Sequence, residues 1–204
     1  MLRNVSLFAL TLMLMTAVAL SQQTPAPATP STSSQAPTAS APPQMGVVVP
    51  QPNVMPAARP ADVASIDSIV AAVYDVISGP PGPRDWDRFR SLFIPEGRLI
   101  PNGMRPEGPT HRVLTVEEYV TRGTASLATQ GFFENEASRV MEHFGNIAHV
   151  FSTYESRHEK GGTPFARGIN SIQLLNDGKR WYIVTILWDS ERPNNPLPQE
   201  YLKQ

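Results

Sequence analysis

Between Gln22 and Pro60 the chain carries one charge, Arg59, and consists largely of Pro, Ala, Thr, Ser and Gln. About half of the 21 prolines fall in this stretch. Proline at that density favours extended, solvated backbone and withholds the amide protons that packed elements need. Residues 22–61 are therefore predicted to be a disordered tether, with Gly46-Val47-Val48-Val49 as its one apolar island. Everything that packs must follow it. Residues 62–192 leave roughly 130 positions for a folded domain, enough for one hydrophobic core. Residues 193–204, with Pro193, Pro196 and Pro198, are expected to form a C-terminal tail lying on the surface as a strap.

The chain ahead of the tether points to export. Arg3 precedes an apolar run from Leu7 to Leu20, and Ala19-Leu20-Ser21 supplies small residues at a cleavage position. The run is about fourteen residues, short of the roughly twenty that a membrane-crossing helix requires. Residues 1–21 are thus predicted to be a signal peptide with Gln22 as the mature start. Contact with a membrane is expected only through that segment before cleavage, and the mature protein is expected in the periplasm or secreted. The sequence contains no cysteine, which excludes disulfides, thiolate metal sites and a cysteine nucleophile. Only Arg3 and Arg59 are charged before Asp62, so the rest holds 17 − 2 = 15 basic and 18 acidic residues. A net charge of −3 argues against a nucleic-acid footprint, which is normally basic.

Periodicity organises the domain. Ile66, Ile69, Val70, Val73, Tyr74 and Ile77 recur at helical spacing behind the capping residues Asp62 or Ser65. Gly79-Pro80-Pro81-Gly82-Pro83 ends that helix. Asp85 caps a second, short helix carrying Trp86, Phe89, Leu92 and Phe93 on one face. Gly97 to Pro101 reads as a strand, Asn102 to His111 as a Gly/Pro-rich loop, and Arg112 to Leu114 as a short strand. Thr115 with Glu118 is a capping box for a third helix through Leu127. Phe132 to Phe144 fits a strand, although Glu134 to His143 also fits a helix. Ile147 to His158 alternates as a long strand. Phe165 to Leu175 and Arg180 to Trp188 flank Asp177-Gly178, a two-residue hairpin signal.

This order, with Tyr74 on the first helix, the Asp85-Trp86-Asp87-Arg88-Phe89 helix leading to Phe93, and the closing hairpin, resembles the nuclear-transport-factor-2-like superfamily, in its SnoaL-like branch. The resemblance spans residues 62–192. It implies an α+β fold: a cone with three N-terminal helices packed on a curved, mostly antiparallel sheet. Members of the superfamily include isomerases, dehydratases, cyclases, binders and assembly domains. In its steroid isomerases a first-helix tyrosine donates to a developing oxyanion, and Tyr74 occupies a comparable place. Their two acids match Leu99-Ile100-Pro101-Asn102 and Asn170-Ser171 in this chain, where no acid stands.

A tight turn at Asp177-Gly178 pairs Leu175 with Arg180 and Arg167 with Trp188. Arg167, Ile169, Ser171, Gln173, Tyr182, Val184, Ile186 and Trp188 then share one face. The opposite face, Gly168, Asn170, Ile172, Leu174, Trp181, Ile183, Thr185 and Leu187, is also largely apolar. A sheet needing cover on both sides takes helices on one and a second sheet or subunit on the other, and the resemblance implies a homodimer through the sheet.

Motifs for phosphate binding, nucleophile elbows and zinc helices are missing, and no cofactor is expected. His111, His143, His149 and His158 lack ligand spacing, so no metal site is expected. His149, set among Ile147, Ala148, Val150 and Phe151, is the candidate base, since imidazole exchanges a proton near neutral pH. If Glu155 faces Arg167, that pair lies beside Trp188, whose ring Arg167 would stack on. Arg167 and His149 would hold an anionic group against the aromatic wall. Tyr74, Trp86, His149, Glu155, Arg167 and Trp188 are the candidate ligand-binding residues, for a hydrophobic or anionic small molecule. Two function classes stay open: a non-catalytic binding or assembly module, and a SnoaL-like dehydratase, cyclase or isomerase using His149.

Overall fold

A computed structural model describes residues 55–202. The expected export signal and the tether up to Val54 lie outside the described residues. Packing begins ahead of Asp62, because Met55 and Ala58 already lean on the core.

Helix α1 (Pro60–Val63) opens with a proline, whose missing amide proton costs nothing in a first turn. Helix α2 (Ile66–Ile77) starts at Ser65, which forms a reciprocal capping box with Ser68, and its buried stripe runs from Ile69 to Ile77. The Pro-rich loop behind it is held by one side chain. Arg84 donates to the carbonyls of Ile77, Gly79, Pro80 and Gly82 at 2.8–3.0 Å, supplying donors where prolines cannot. Asp85 caps α3 (Trp86–Ser91) by accepting from the Arg88 amide. The Arg88 side chain in turn reaches Asp62 at 2.7 Å, tying α1 to α3.

Strand β1 (Phe93–Arg105) is longer than expected, and the stretch read as a loop is a hairpin: residues 102–105 pair with β2 (Gly108–His111). Gly108, at φ 127°, makes the reversal, and Pro109 is tolerated because β2 is an edge strand with no further neighbour to donate to. The short β3 (Leu114–Thr115) pairs with β1 and leads into α4 (Val116–Leu127), whose Thr115–Glu118 capping box forms as read. Four long strands follow: β4 (Phe133–Phe144), β5 (Ile147–Arg157), β6 (Ala166–Asn176) and β7 (Trp181–Ser190). The sheet runs β2-β1-β7-β6-β5-β4, with β1 parallel to β7 and the remaining pairs antiparallel. The result is an α+β architecture with an open mixed sheet.

Two one-residue bulges decide which side chains face inward. On β7 the pairing steps from Gln173–Thr185 to Leu174–Ile183, so Val184 is the extra residue. Burial follows: Trp181 and Ile183 are inward before the bulge, and Ile186 after it. The expected face assignment therefore reverses beyond Val184. Trp188 pairs with Asn170, not Arg167, and Ile186 joins Ile172 in the core. The turn also differs from the expected two-residue type. Asn176 pairs with Trp181, and the Asp177 carboxylate accepts from the amides of Lys179 and Arg180, folding residues 177–180 into a longer loop. On β4, Ala137 is the extra residue between Glu136–Tyr154 and Ser138–Thr153.

Candidate functional site

The inward faces of α2, α4 and the sheet do not close on one another completely. They enclose a cavity of about 240 Å³. Helix α2 contributes Val73, Tyr74 and Ile77, and Phe89 and Tyr119 stack behind them at 5.2 Å and 17°. The sheet supplies Leu99, Tyr154, Asn170, Ile172, Ile186 and Trp188. At the mouth stand Phe132 and Phe165, with ring centroids 6.3 Å apart, and His158 stacks on the outer side of Phe165 at 4.1 Å.

A chain of hydrogen bonds crosses this apolar space. Ser152 Oγ donates to Glu136 Oε1 at 2.6 Å, so its single proton is committed. The 2.7 Å contact between Tyr74 and Ser152 must then carry the tyrosine proton. Asn170 Nδ2 donates to the Tyr74 oxygen at 3.0 Å. The buried Tyr74 phenol is pushed well above its ordinary pKa by desolvation. Its only proton points to Ser152, so Tyr74 offers no free donor to an oxyanion in the cavity.

The acid that sequence reasoning missed is Glu134. It lines the cavity from β4, opposite Ser156, and accepts from Ser156 Oγ at 2.7 Å and, more distantly, from Asn170 Nδ2 at 3.5 Å. Desolvation raises its carboxyl above the usual range, and those two donors pull it back only in part. No cationic side chain pairs with it among the described residues. The Tyr119 hydroxyl, also raised by burial and by the nearby Glu134, makes no hydrogen bond among the described residues. A proton acceptor, a free phenol and aromatic walls thus meet in one small space. Its alternation signal was masked by the Ala137 bulge, which breaks the strand's period at the point where a helix also fitted.

The six candidates from sequence separate. Tyr74 and Trp188 line the cavity. Trp86 sits one layer behind, edge-on to Phe89 and Tyr119, with its ring against Gly123 of α4. His149, Glu155 and Arg167 are on the opposite face of the sheet. There His149 Nε2 meets Ser171 Oγ at 2.9 Å, and its ring lies edge-on to Phe151. Glu155 does stand opposite Arg167 in the ladder, as read. The ion pairs go elsewhere: Glu155 to Arg157, and Arg167 to Glu191 at 2.8 Å. The cation–π contact forms between Arg180 and Tyr182, 3.7 Å from the ring centre. Arg167 and Trp188 are held on different faces by the Val184 bulge. Among the described residues no group of three or more acidic or His side chains has the arrangement to hold a metal.

A second hollow of about 390 Å³ lies on that outer face, under the C-terminal strap. Leu197 is buried there, Tyr201 packs edge-on to Phe151 at 5.1 Å, and Thr153 donates to the Tyr201 carbonyl.

No protein-family model and no curated protein sequence matches the chain. Solved structures of nuclear-transport-factor-2-like and cystatin-like proteins resemble it. A protein of unknown function with a cystatin-like fold from Nostoc punctiforme is 14% identical, with a TM-score of 0.48 over 66% of this chain and 94% of that one. A cystatin-like-fold protein from Caulobacter vibrioides is 14% identical, with a TM-score of 0.47 over 64% of this chain and 90% of that one. A nuclear-transport-factor-2-like protein of unknown function from Silicibacter pomeroyi is 16% identical, with a TM-score of 0.44 over 63% of this chain and 94% of that one.

Proposed function

We propose that this chain is an exported, non-catalytic binding module of the nuclear-transport-factor-2-like cone type, displayed on a tether outside the cytoplasm. It takes a small, mainly apolar molecule between its helices and its sheet. The observation that carries this reading is the aromatic-walled cavity with a hydrogen-bonding carboxyl inside it. At about 240 Å³ it falls under the roughly 300–1,000 Å³ of sites for drug-sized ligands, which favours a molecule of about one ring over a fused polycycle. The outer face, with Phe144 and Ile147 exposed, is the surface through which we propose that two copies pair.

The test is saturation-transfer NMR of the mature protein against a library of single-ring compounds. We expect binding that disappears when Ile172→Trp fills the cavity, in a variant shown to fold by its circular dichroism and melting curve. Binding that survives the filling would refute the site. A monomer by light scattering at micromolar concentration would sink the dimer.

One observation favours a second reading, proton transfer. Desolvation raises the Glu134 carboxyl above its usual range, which makes its ionised form a stronger base beside the cavity. With Tyr74 committed to Ser152, the donor for a developing oxyanion would be Tyr119. The check is deuterium exchange at the α-carbon of a single-ring ketone. Exchange above background that vanishes in Glu134→Gln would replace the binding reading with this one.

A further inference from the structure

We propose that the cavity selects an organic cation, an ammonium group carried on a single apolar ring, with the Glu134 carboxylate facing the charge. The inference rests on the reading of the cavity as a ligand site and names the chemistry of its occupant.

Three observations converge on it. The first is a contrast among the acids. Asp62, Asp67, Asp75, Asp85, Asp87, Glu117, Glu136, Glu155, Asp189 and Glu191 each have an arginine within ion-pairing distance. Glu134 has none among the described residues, and of the acids there that lack one it alone is partly buried while the others are exposed. An unpaired carboxylate away from water is costly, and a cation delivered from outside would offset that cost.

The second is the donor arrangement. Ser156 Oγ donates to one carboxylate oxygen and Asn170 Nδ2 approaches the other. Both serve an acceptor, the ionised form, and with one donor to each oxygen they leave the carboxylate with acceptor capacity to spare. The third is the wall. The residues lining the cavity include no Lys, Arg or His, while Tyr119, Phe132, Tyr154 and Trp188 offer ring surfaces. Ring faces attract cations through their quadrupole, and the attraction strengthens when the pair is desolvated.

The charges around Glu134 fit this assignment. On its own strand Glu136 is turned away through Ser152 to Tyr74 of α2 and is paired with Arg139. From β5, Arg157 borders the solvent groove outside Glu134, but its guanidinium is taken by Glu155, Asn135 and the Gly162 carbonyl. Lys160 and Asp75 lie in the same groove, beyond the cavity itself. An anionic ligand would have to enter beside Glu134 with no basic group lining the space.

The experiment compares isosteres by calorimetry at pH 7 on the full mature chain: cyclohexylmethylamine, cyclohexylmethanol and cyclohexanecarboxylate. We expect the amine to bind about tenfold or more tighter than the alcohol, because both can donate to the carboxylate but only the amine brings the opposite charge, and the carboxylate not to bind. Glu134→Gln, its fold verified by melting, should weaken the amine by about tenfold or more and the alcohol by a clearly smaller factor. The amine should also tighten as pH rises through the Glu134 titration, since ionisation creates its partner. Equal or tighter binding of the alcohol, or an amine affinity indifferent to Glu134→Gln, overturns the cation assignment while the cavity stands as a site for neutral molecules. No binding by any of the three overturns the cavity as a ligand site, and this inference with it.

Discussion

The two faces of the sheet use similar side chains to different ends. On the inner face Ala148, Val150, Ile172, Leu174, Ile183 and Ile186 are buried under the helices. Polar groups there, Ser152, Asn170 and Ser156, join with Tyr74 of α2 in hydrogen bonds that run between the paired carboxyl of Glu136 and the unpaired one of Glu134. On the outer face Phe151 is covered by the strap that carries Leu197 and Tyr201, Phe144 and Ile147 stay open, and each of the acids Glu155 and Glu191 has an arginine of its own. The difference teaches where to look for a site. Glu155 and Glu191 on the outer face are each balanced by an arginine, whereas Glu134 on the inner face has no such partner among the described residues.

The comparison breaks most sharply at neighbouring positions on β7. Ile186 is 6% exposed and Leu187 is 39% exposed. Ile186→Asp should cost about 5 kcal/mol or more, combining lost burial with an unpaired interior charge. Leu187→Asp should cost about 1 kcal/mol or less, as surface substitutions do. Urea melts of the two variants decide it, and similar losses would refute the bulge at Val184.

Aromatic truncation gives the next largest contrast. Phe89→Ala, at 1% exposure, should lose about 3–5 kcal/mol. Phe144→Ser, at 84%, should fall within about 0.5 kcal/mol in the monomer. A dimer that dissociates more readily in the Phe144 variant would place the interface on the outer face.

Acid titration sharpens the comparison further. Arg88 holds the Asp62 carboxyl below its ordinary range, so the stability it contributes is present above the unfolded pKa and is lost as pH falls through the folded one. Glu134 is shifted the other way. Folding favours its protonated form, and stability declines as pH rises from the unfolded value through the raised folded one. Asp62→Asn should therefore destabilise at pH 7, while Glu134→Gln should stabilise there and lose that advantage near pH 3. Melting temperatures across pH 3–8 measure both, and a Glu134→Gln variant less stable at pH 7 than at pH 3, relative to the parent, would contradict the assignment. For ligand binding the smallest effect is expected of His149→Ala. It removes one partly exposed hydrogen bond to Ser171, costs about 1 kcal/mol, and leaves ligand binding in the cavity unchanged.

Much of the fold was legible because local signals agreed with packing. The stripes of α2 and α4, their caps, and the alternation of β5 and β6 were each written in consecutive residues. The hairpin's face assignment was not, since Val184 carries no glycine or proline to mark the bulge, and Asp177 spends its carboxylate on a longer loop than Asp-Gly suggests. The site was half legible. Tyr74 and Trp188 were recognised as pocket aromatics, but Glu134 hid in a segment whose bulge blurred strand with helix. His149 drew attention through apolar sequence neighbours, yet in a strand those neighbours point to both faces, so they report nothing about which one the imidazole takes.

The extra residue at Val184 has a consequence for how variation along β7 would read. A strand without it keeps one rhythm, with every second position intolerant of polar replacement. Here the rhythm changes phase in mid-strand: odd positions, Trp181 and Ile183, are the sensitive ones before the bulge, and even positions, Ile186 and Trp188, after it. Deleting Val184 would restore the simple beat and keep Ile186 opposite Ile172 and Trp188 opposite Asn170, whereas flattening the bulge with the residue still in place would turn both away and remove two walls of the cavity without altering either side chain.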